Sequence, residues 1–192
     1  MIPYEFSAER FSRWMAYVLR HNPDRYGLRP DRHGYVNFQE FLRIASRRYP
    51  EVSPEQLRNL IEGEGAARFE VDGDRLRARY GHSIQVEPAG PAVEPPVHLY
   101  HGADASSVDG LLCQGLEPVD RRMLHLSVTV DEALAVTQRR TAQAATIRID
   151  ALAASHAGIA FYREGNLYLA AAIPPSFLHR EPLPARPPPV GA

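Results

Sequence analysis

The sequence predicts an α+β protein of two lobes, on three observations. Apolar residues before position 64 recur at helical spacing, whereas those after position 96 fall in short strand-like runs. Between them Val86–Pro96, VEPAGPAVEPP, carries four prolines, which disfavour helix and central strand alike. The expected organisation is a first lobe over 1–85, a linker over 86–96, a second lobe over 97–181 and a proline-rich tail, PLPARPPPVGA, over 182–192.

In the first lobe Phe11, Trp14, Met15 and Val18 follow the i, i+3, i+4, i+7 rule behind Ser7, a residue suited to capping a helix N-terminus. This helix is expected to end near Arg20–His21, with Pro23 just beyond. Phe38, Phe41, Leu42 and Ala45 mark a second helix. A third starts at a capping box, Ser53 with Gln56, and has Pro54 at its first position. Arg68–Val71 and Arg75–Arg79 alternate on either side of Asp72-Gly73, a strong hairpin signal. Three helices followed by a hairpin predict a winged helix-turn-helix, a module used both for nucleic acid and as a scaffold. In the second lobe Val97–His101, Leu124–Val128, Ala145–Ile149, Ile159–Tyr162 and Leu167–Ile173 read as strands, with helices over Ala105–Gln114 and Asp131–Arg140.

Composition narrows the function classes. The 22 basic and 23 acidic residues give a net charge of −1, so any nucleic-acid contact must be local. All 22 basic residues are arginine. Up to residue 84 there are 14 of them against 12 acids, and beyond it 8 against 11, so the first lobe is the more basic. The lone Cys113, flanked by Leu111 and Leu112, excludes an internal disulfide and predicts a buried thiol in a reducing compartment. The eight histidines include no HxxxH pair, so no metal site is expected. The start MIPYEFSAERF has no apolar signal core, and no run approaches a membrane span. A soluble, cytoplasmic, monomeric protein is expected.

Four clusters could carry chemistry. Arg20-His21 closes the first helix, where cations serve simply as dipole partners or, functionally, grip a phosphate while the histidine handles a proton. Arg68-Phe69 enters the hairpin, and RARYGHS, Arg77–Ser83, leaves it. Arg77 and Arg79 share one strand face, consistent with cross-strand pairing to Glu70 or with an anion site completed by His82 and Ser83. The fourth cluster comprises His101-Gly102 on the first strand of the second lobe and Arg121 through Ser127 leading into another. A strand histidine is more often a hydrogen-bonded core residue than a catalyst. Two in matching contexts, His101 and His125, shift that balance.

In order and spacing these clusters resemble the tRNA/RNA 2′-phosphotransferase family. The carriers are YVLRHNP (Tyr17–Pro23), GLRPDRHGYV (Gly27–Val36), RFE (Arg68–Glu70), RARYGHSI (Arg77–Ile84), LYHG (Leu99–Gly102), HLS (His125–Ser127) and FYREGNLYL with the following IPP (Phe161–Pro175), so the resemblance covers roughly residues 8–178. It implies a winged-helix lobe followed by an ADP-ribosyltransferase-like lobe. It also implies an NAD-dependent RNA 2′-phosphotransferase, which serves tRNA splicing in some organisms. In that reaction the RNA 2′-phosphate attacks the nicotinamide-ribose carbon of NAD⁺ and nicotinamide leaves. The neighbouring ribose hydroxyl then attacks phosphorus, giving 2′-OH RNA and ADP-ribose 1″,2″-cyclic phosphate. The substrate phosphate is the nucleophile, so the protein needs placed positive charge and no nucleophile of its own.

The resemblance carries a catalytic tetrad onto Arg20, His21, Arg68 and Arg121. It places His101, Gly102, His125 and Ser127 at NAD⁺, Arg139 near its pyrophosphate, and Arg77, Arg79, His82 and Ser83 at the RNA. Three positions depart from the family pattern: Ala103 where threonine is usual, Tyr80 where glutamine is common, and Met123 where HVHLS has its first histidine. Two alternatives stand beside this reading. One is an ADP-ribosyltransferase acting on a protein or a terminal nucleic-acid phosphate, although no Glu-x-Glu lies near Phe161–Leu169. The other is a non-catalytic winged-helix binder, although Gln56–Gly63 offers only Arg58 as a cation, with Glu62 nearby.

Overall fold

A computed structural model describes residues 6–63 and 65–182. Beyond Pro182, the expected proline-rich tail lies outside the described residues. The chain is mixed helix and sheet, as the α+β expectation required, and forms two compact units. The first runs to Pro91 and includes Pro118–Met123, whereas the second comprises Ala92–Glu117 and the chain from Leu124 onward. The segment Pro118–Met123, within the stretch expected as the second lobe, groups with the first unit.

The first unit begins with α1, Ala8–His21, capped by Ser7 Oγ accepting the Arg10 amide. α2, Phe38–Arg48, is capped by Asn37, and α3, Pro54–Glu62, by the expected capping box. The hairpin is β2, Phe69–Asp72, and β3, Arg75–Ala78, turning at Gly73 with φ 58. The sequence reading missed β1, Val36–Asn37, which pairs with β3 through Val36 opposite Leu76. Two residues carry no periodicity, so only their partner strand defines them. The buried face of α1, Phe11, Trp14, Met15, Val18 and Leu19, packs on Phe38, Phe41, Leu57, Ile61 and Phe69 in one apolar core. Each such side chain contributes about 1.5–3 kcal/mol when fully buried.

The second unit is built on an antiparallel sheet of order β7-β8-β5-β4-β6-β9. Its strands are β4 Leu99–Asp104, β5 Leu124–Ser127, β6 Ala144–Ile149, β7 Tyr162–Glu164, β8 Leu167–Ala170 and β9 Leu178–Glu181. Its helices are α4 Val108–Gln114, α5 Val130–Thr137 and α6 Ala151–His156. The strand expected over Ile159–Tyr162 is instead Tyr162–Glu164, the residues that pair with Leu167–Leu169 of β8 across the turn at Gly165. β9 and α6 were not anticipated, and the helix expected to Arg140 stops at Thr137. The first turn of the helix expected at Ala105 is 3-10. Cys113, expected to be buried, is exposed, since α4 turns Val108 into the core and Cys113 away from it.

Val86–Pro96 has no helix or strand, yet it is tied down: the Glu87 amide donates to the Arg32 carbonyl at 2.7 Å and the Val93 amide to Phe161 at 2.8 Å. Among the described residues, no helix is long and apolar enough to cross a membrane.

Candidate active site

In the first unit the C-terminal end of α1 meets the chain leaving β3. The Arg20 carbonyl, one of those a helix end leaves without an internal partner, accepts the Ser83 amide at 3.0 Å. Gly81, at φ 87, lets this segment approach, since a Cβ there would lie 3.2 Å from Arg20 Nη1. Arg20 is only 7% exposed, with its guanidinium carbon 4.9 Å from the Tyr80 ring centre and 5.9 Å from that of Phe69. Its Nε and Nη2 are buried without a hydrogen-bond partner among the described residues. Burial, and then the charge of Arg68, pull its pKa down to about 10, with Tyr80 opposing and Arg121 adding to the shift. Arg20 therefore stays charged at neutral pH in a place that disfavours charge.

His21, next along the helix, is exposed and shares a 2.9 Å hydrogen bond with Ser83 Oγ through Nδ1. Partial burial, then Arg20 and Arg121, lower its pKa, which favours the neutral imidazole near pH 7. Arg68 donates from Nη1 to Ser12 Oγ at 2.7 Å and lies 5.5 Å from the Phe69 ring centre. It borders a cavity of about 240 Å³ whose walls include Ser12, Met15, Leu60 and Phe69. Arg121 is exposed on the Pro118–Met123 segment, and the next amide, of Arg122, donates to the His82 carbonyl at 3.2 Å. Arg20, His21, Arg68 and Arg121 are thus brought together from three stretches of sequence. No recorded ion pair joins Arg20 or Arg68 to a carboxylate among the described residues.

Two of the residues expected to face RNA, Arg77 and His82, are buried. Arg77 is 5% exposed and donates from Nε to Glu70 Oε2 at 2.7 Å, so its charge is committed inside the hairpin. His82 is 6% exposed, its Nε2 buried beside Gly34. Arg77 is enclosed by Glu70 and the Tyr35 ring, on the strand face opposite the core residues Leu76 and Ala78. Arg79 also lies on Glu70, at 3.4 Å, and donates to the Ala66 carbonyl. Ser83 remains exposed. Sequence reading offered Glu70 as the cross-strand partner of Arg77, missed Ser12 as the partner that holds Arg68, and gave Tyr80 no role. Ser12 carries no local signal, being a half-buried helix serine 56 positions from Arg68.

His82 makes a testable acid liability. Burial, then the charges of Arg20, Arg77 and His21, push it from its ordinary 6.5 down to about 4. Between those values the unfolded chain binds a proton at this site that the folded protein refuses. Stability is therefore complete above about pH 6.5 and falls as the pH drops toward 4, by on the order of 3 kcal/mol. Thermal unfolding of the wild type should shift down by roughly 6–12 °C across that window. His82→Asn should flatten the profile, and a variant curve as steep as the wild type's would clear His82 of the effect.

In the second unit His101 Nδ1 lies 3.1 Å from the His125 carbonyl oxygen. A carbonyl only accepts, so Nδ1 carries the proton and Nε2 presents a lone pair. Burial lowers the pKa of His101 against the opposing effect of that bond, and the ring is held neutral. Gly102, the next residue, has a packing reason to be glycine: a Cβ there would collide with Thr137 Oγ1 and the Ala133 carbonyl of α5. Ser127 is 5% exposed at the end of β5, opposite Tyr100, and His125 is half-buried. Arg139 is exposed just past α5. Among the described residues no group of three or more His, Cys, Asp or Glu is placed to hold a metal ion.

Known proteins resemble this chain over most of its length. The family model described as "RNA 2'-phosphotransferase, Tpt1 / KptA family" matches residues 7–171. A "Probable RNA 2'-phosphotransferase" of Thermococcus kodakarensis is 36% identical over 168 residues, covering 87% of this chain and 93% of its own. One from Streptomyces griseus is 36% identical over 179 residues, covering 88% and 94%. A "Probable RNA 2'-phosphotransferase 1" of Archaeoglobus fulgidus is 34% identical over 183 residues, covering 94% and 84%. With a match over most of its length and relatives this similar, the chain belongs to the Tpt1/KptA family of RNA 2′-phosphotransferases.

Proposed function

We propose that this protein removes an internal 2′-phosphate from RNA by transferring it to NAD⁺. The first unit, read as a winged helix, supplies the phosphate contacts, and the second, read as ADP-ribosyltransferase-like, supplies the NAD⁺ contacts. The observation that carries the reading is the clustering of Arg20, His21, Arg68 and Arg121 with no recorded carboxylate on Arg20 or Arg68. Structural arginines are ordinarily neutralised, as Arg77 is by Glu70. A buried guanidinium left with donor atoms unfilled is suited to a multiply charged oxyanion.

When bound, NAD⁺ supplies an electrophilic ribose carbon and, once nicotinamide has left, a ribose hydroxyl. The residues of the second unit fit that group: His101 offers a fixed lone pair to a ribose hydroxyl or an amide N–H. His125 and Ser127 neighbour the same strands, and Arg139 offers a cation for the pyrophosphate. In the first unit Arg20, Arg68 and Arg121 hold the non-bridging phosphate oxygens as charge gathers on them. His21, neutral and oriented by Ser83, hydrogen-bonds or transfers a proton at the departing RNA 2′-oxygen. Ser83, exposed beside it, is the remaining candidate for an RNA contact from this segment, with Arg79 a lesser one.

Incubation with NAD⁺ and a short RNA carrying one internal 2′-phosphate tests the reading by mass spectrometry. The expected products are 2′-OH RNA, nicotinamide and ADP-ribose 1″,2″-cyclic phosphate. Folded protein that binds both substrates and leaves the RNA phosphate in place would overturn it.

A further inference from the structure

We propose that Tyr80 is the positioning residue of the phosphate cluster, its ring holding the buried Arg20 guanidinium where a carboxylate would otherwise stand and so leaving Nε and Nη2 for substrate. The inference rests on the reading of Arg20 as a phosphate ligand and deepens it.

A guanidinium this deep needs something negative near it, because burial disfavours the charged form. A carboxylate would supply that and defeat the purpose, since it would fill the same donor atoms that a phosphate must fill. An aromatic face offers its negative quadrupole to the cation without taking its in-plane N–H groups. The geometry around Arg20 has these parts. Its carbon lies 4.9 Å from the Tyr80 ring centre and 5.9 Å from that of Phe69. Two of its nitrogens are buried without a partner among the described residues. Gly81, directly after Tyr80, admits Nη1 where any Cβ would crowd it at 3.2 Å. The Ser83 amide fixes the same loop to the Arg20 carbonyl, so ring and guanidinium are held in register by the backbone as well. The phenol also raises the Arg20 pKa against the combined pull of burial and Arg68. Phe69 cannot replace this ring, because it lies farther from Arg20 and at 5.5 Å from Arg68 it is shared with a second cation.

The test compares Tyr80→Phe, Tyr80→Leu and Tyr80→Glu in the full chain, without NAD⁺. The readout is the ratio of affinities for a short RNA with one internal 2′-phosphate and the same RNA lacking it. The leucine variant should lose about tenfold to thirtyfold of that preference, the range expected for a desolvated cation–ring contact. The phenylalanine variant keeps the ring and loses the hydroxyl, which also hydrogen-bonds Arg20, so it should retain most of the preference and stay well above the leucine variant. The glutamate variant should lose the preference altogether, by seating a carboxylate on Arg20. A leucine variant with the wild-type preference, a phenylalanine variant as impaired as the leucine one, or a glutamate variant that still prefers the phosphate would each overturn the proposal. Should Tyr80→Leu fail to fold, Tyr80→Met, which has similar reach and no ring, decides in its place. Wild-type protein indifferent to the 2′-phosphate would overturn the phosphate-cluster reading itself, a result recognisable before any variant is made.

Discussion

Arg20→Met is expected to slow release of the RNA phosphate by about a hundredfold to a thousandfold while leaving the fold as stable as before or more so. The first half follows from the role proposed for Arg20: removing one preorganised donor from a site of developing oxyanion charge has effects of about this size. The second half follows from burial. At 7% exposure, without a recorded carboxylate, and with its pKa drawn down to about 10, the Arg20 guanidinium is held at the expense of stability. Methionine keeps an unbranched chain of comparable reach between Tyr80 and Phe69 and removes the desolvated charge, a kind of exchange that is often neutral or stabilising. Single-turnover assays should show ADP-ribosylated RNA accumulating if Arg20 serves the attack on phosphorus. A variant that releases phosphate at the wild-type rate would remove Arg20 from the chemistry. A melting temperature lowered by many degrees would show that its role is structural.

Gly102→Ala should destabilise the second unit by roughly 3 kcal/mol, lowering its unfolding temperature by about 12–24 °C. The added methyl meets two atoms of α5, the Thr137 hydroxyl and the Ala133 carbonyl oxygen. The hydroxyl is a movable side-chain atom, although it already donates to that same carbonyl at 3.0 Å. The carbonyl belongs to the helix backbone and gives way only if α5 lifts from β4. A Gly102→Ala, Thr137→Ala pair should therefore recover only part of the loss. His101 sits in the strand on which α5 rests, so weaker NAD⁺ binding should accompany the lower melting temperature. Melting within about 2 °C of wild type would show that the strand absorbs the methyl and that the packing argument fails.

The helices and the hairpin of the first unit were legible because their signals are local. Ser7, the Ser53–Gln56 box with Pro54, and Asp72-Gly73 act within four residues of themselves, and each appears where expected. The second unit was less legible. β9 is defined by a partner distant in sequence, Leu178–Glu181 pairing with Thr146–Ile149, and α6 spans only six residues, too few to show a helical period. Of the candidate site, the residue identities were readable as a resemblance in ordered motifs, and their roles remain the proposal made above.

By itself the sequence determined the α+β class, the helix boundaries of the first unit, the family and the residue types available for the chemistry. These depend on hydrophobic period, capping, turn residues and motif order, all of which are written along the chain. Only the tertiary structure decided which arginines are spoken for. Arg77 and Arg20 look alike in sequence, both in motifs rich in arginine or histidine, yet Arg77 lies on Glu70 whereas Arg20 lies on the rings of Tyr80 and Phe69 with donors unfilled. Whether a charge is neutralised or kept available is set by what folds against it, through burial and the nearest partner; the hairpin pattern offered Glu70 to Arg77 as one of two readings, and nothing local marked Arg20 as left open.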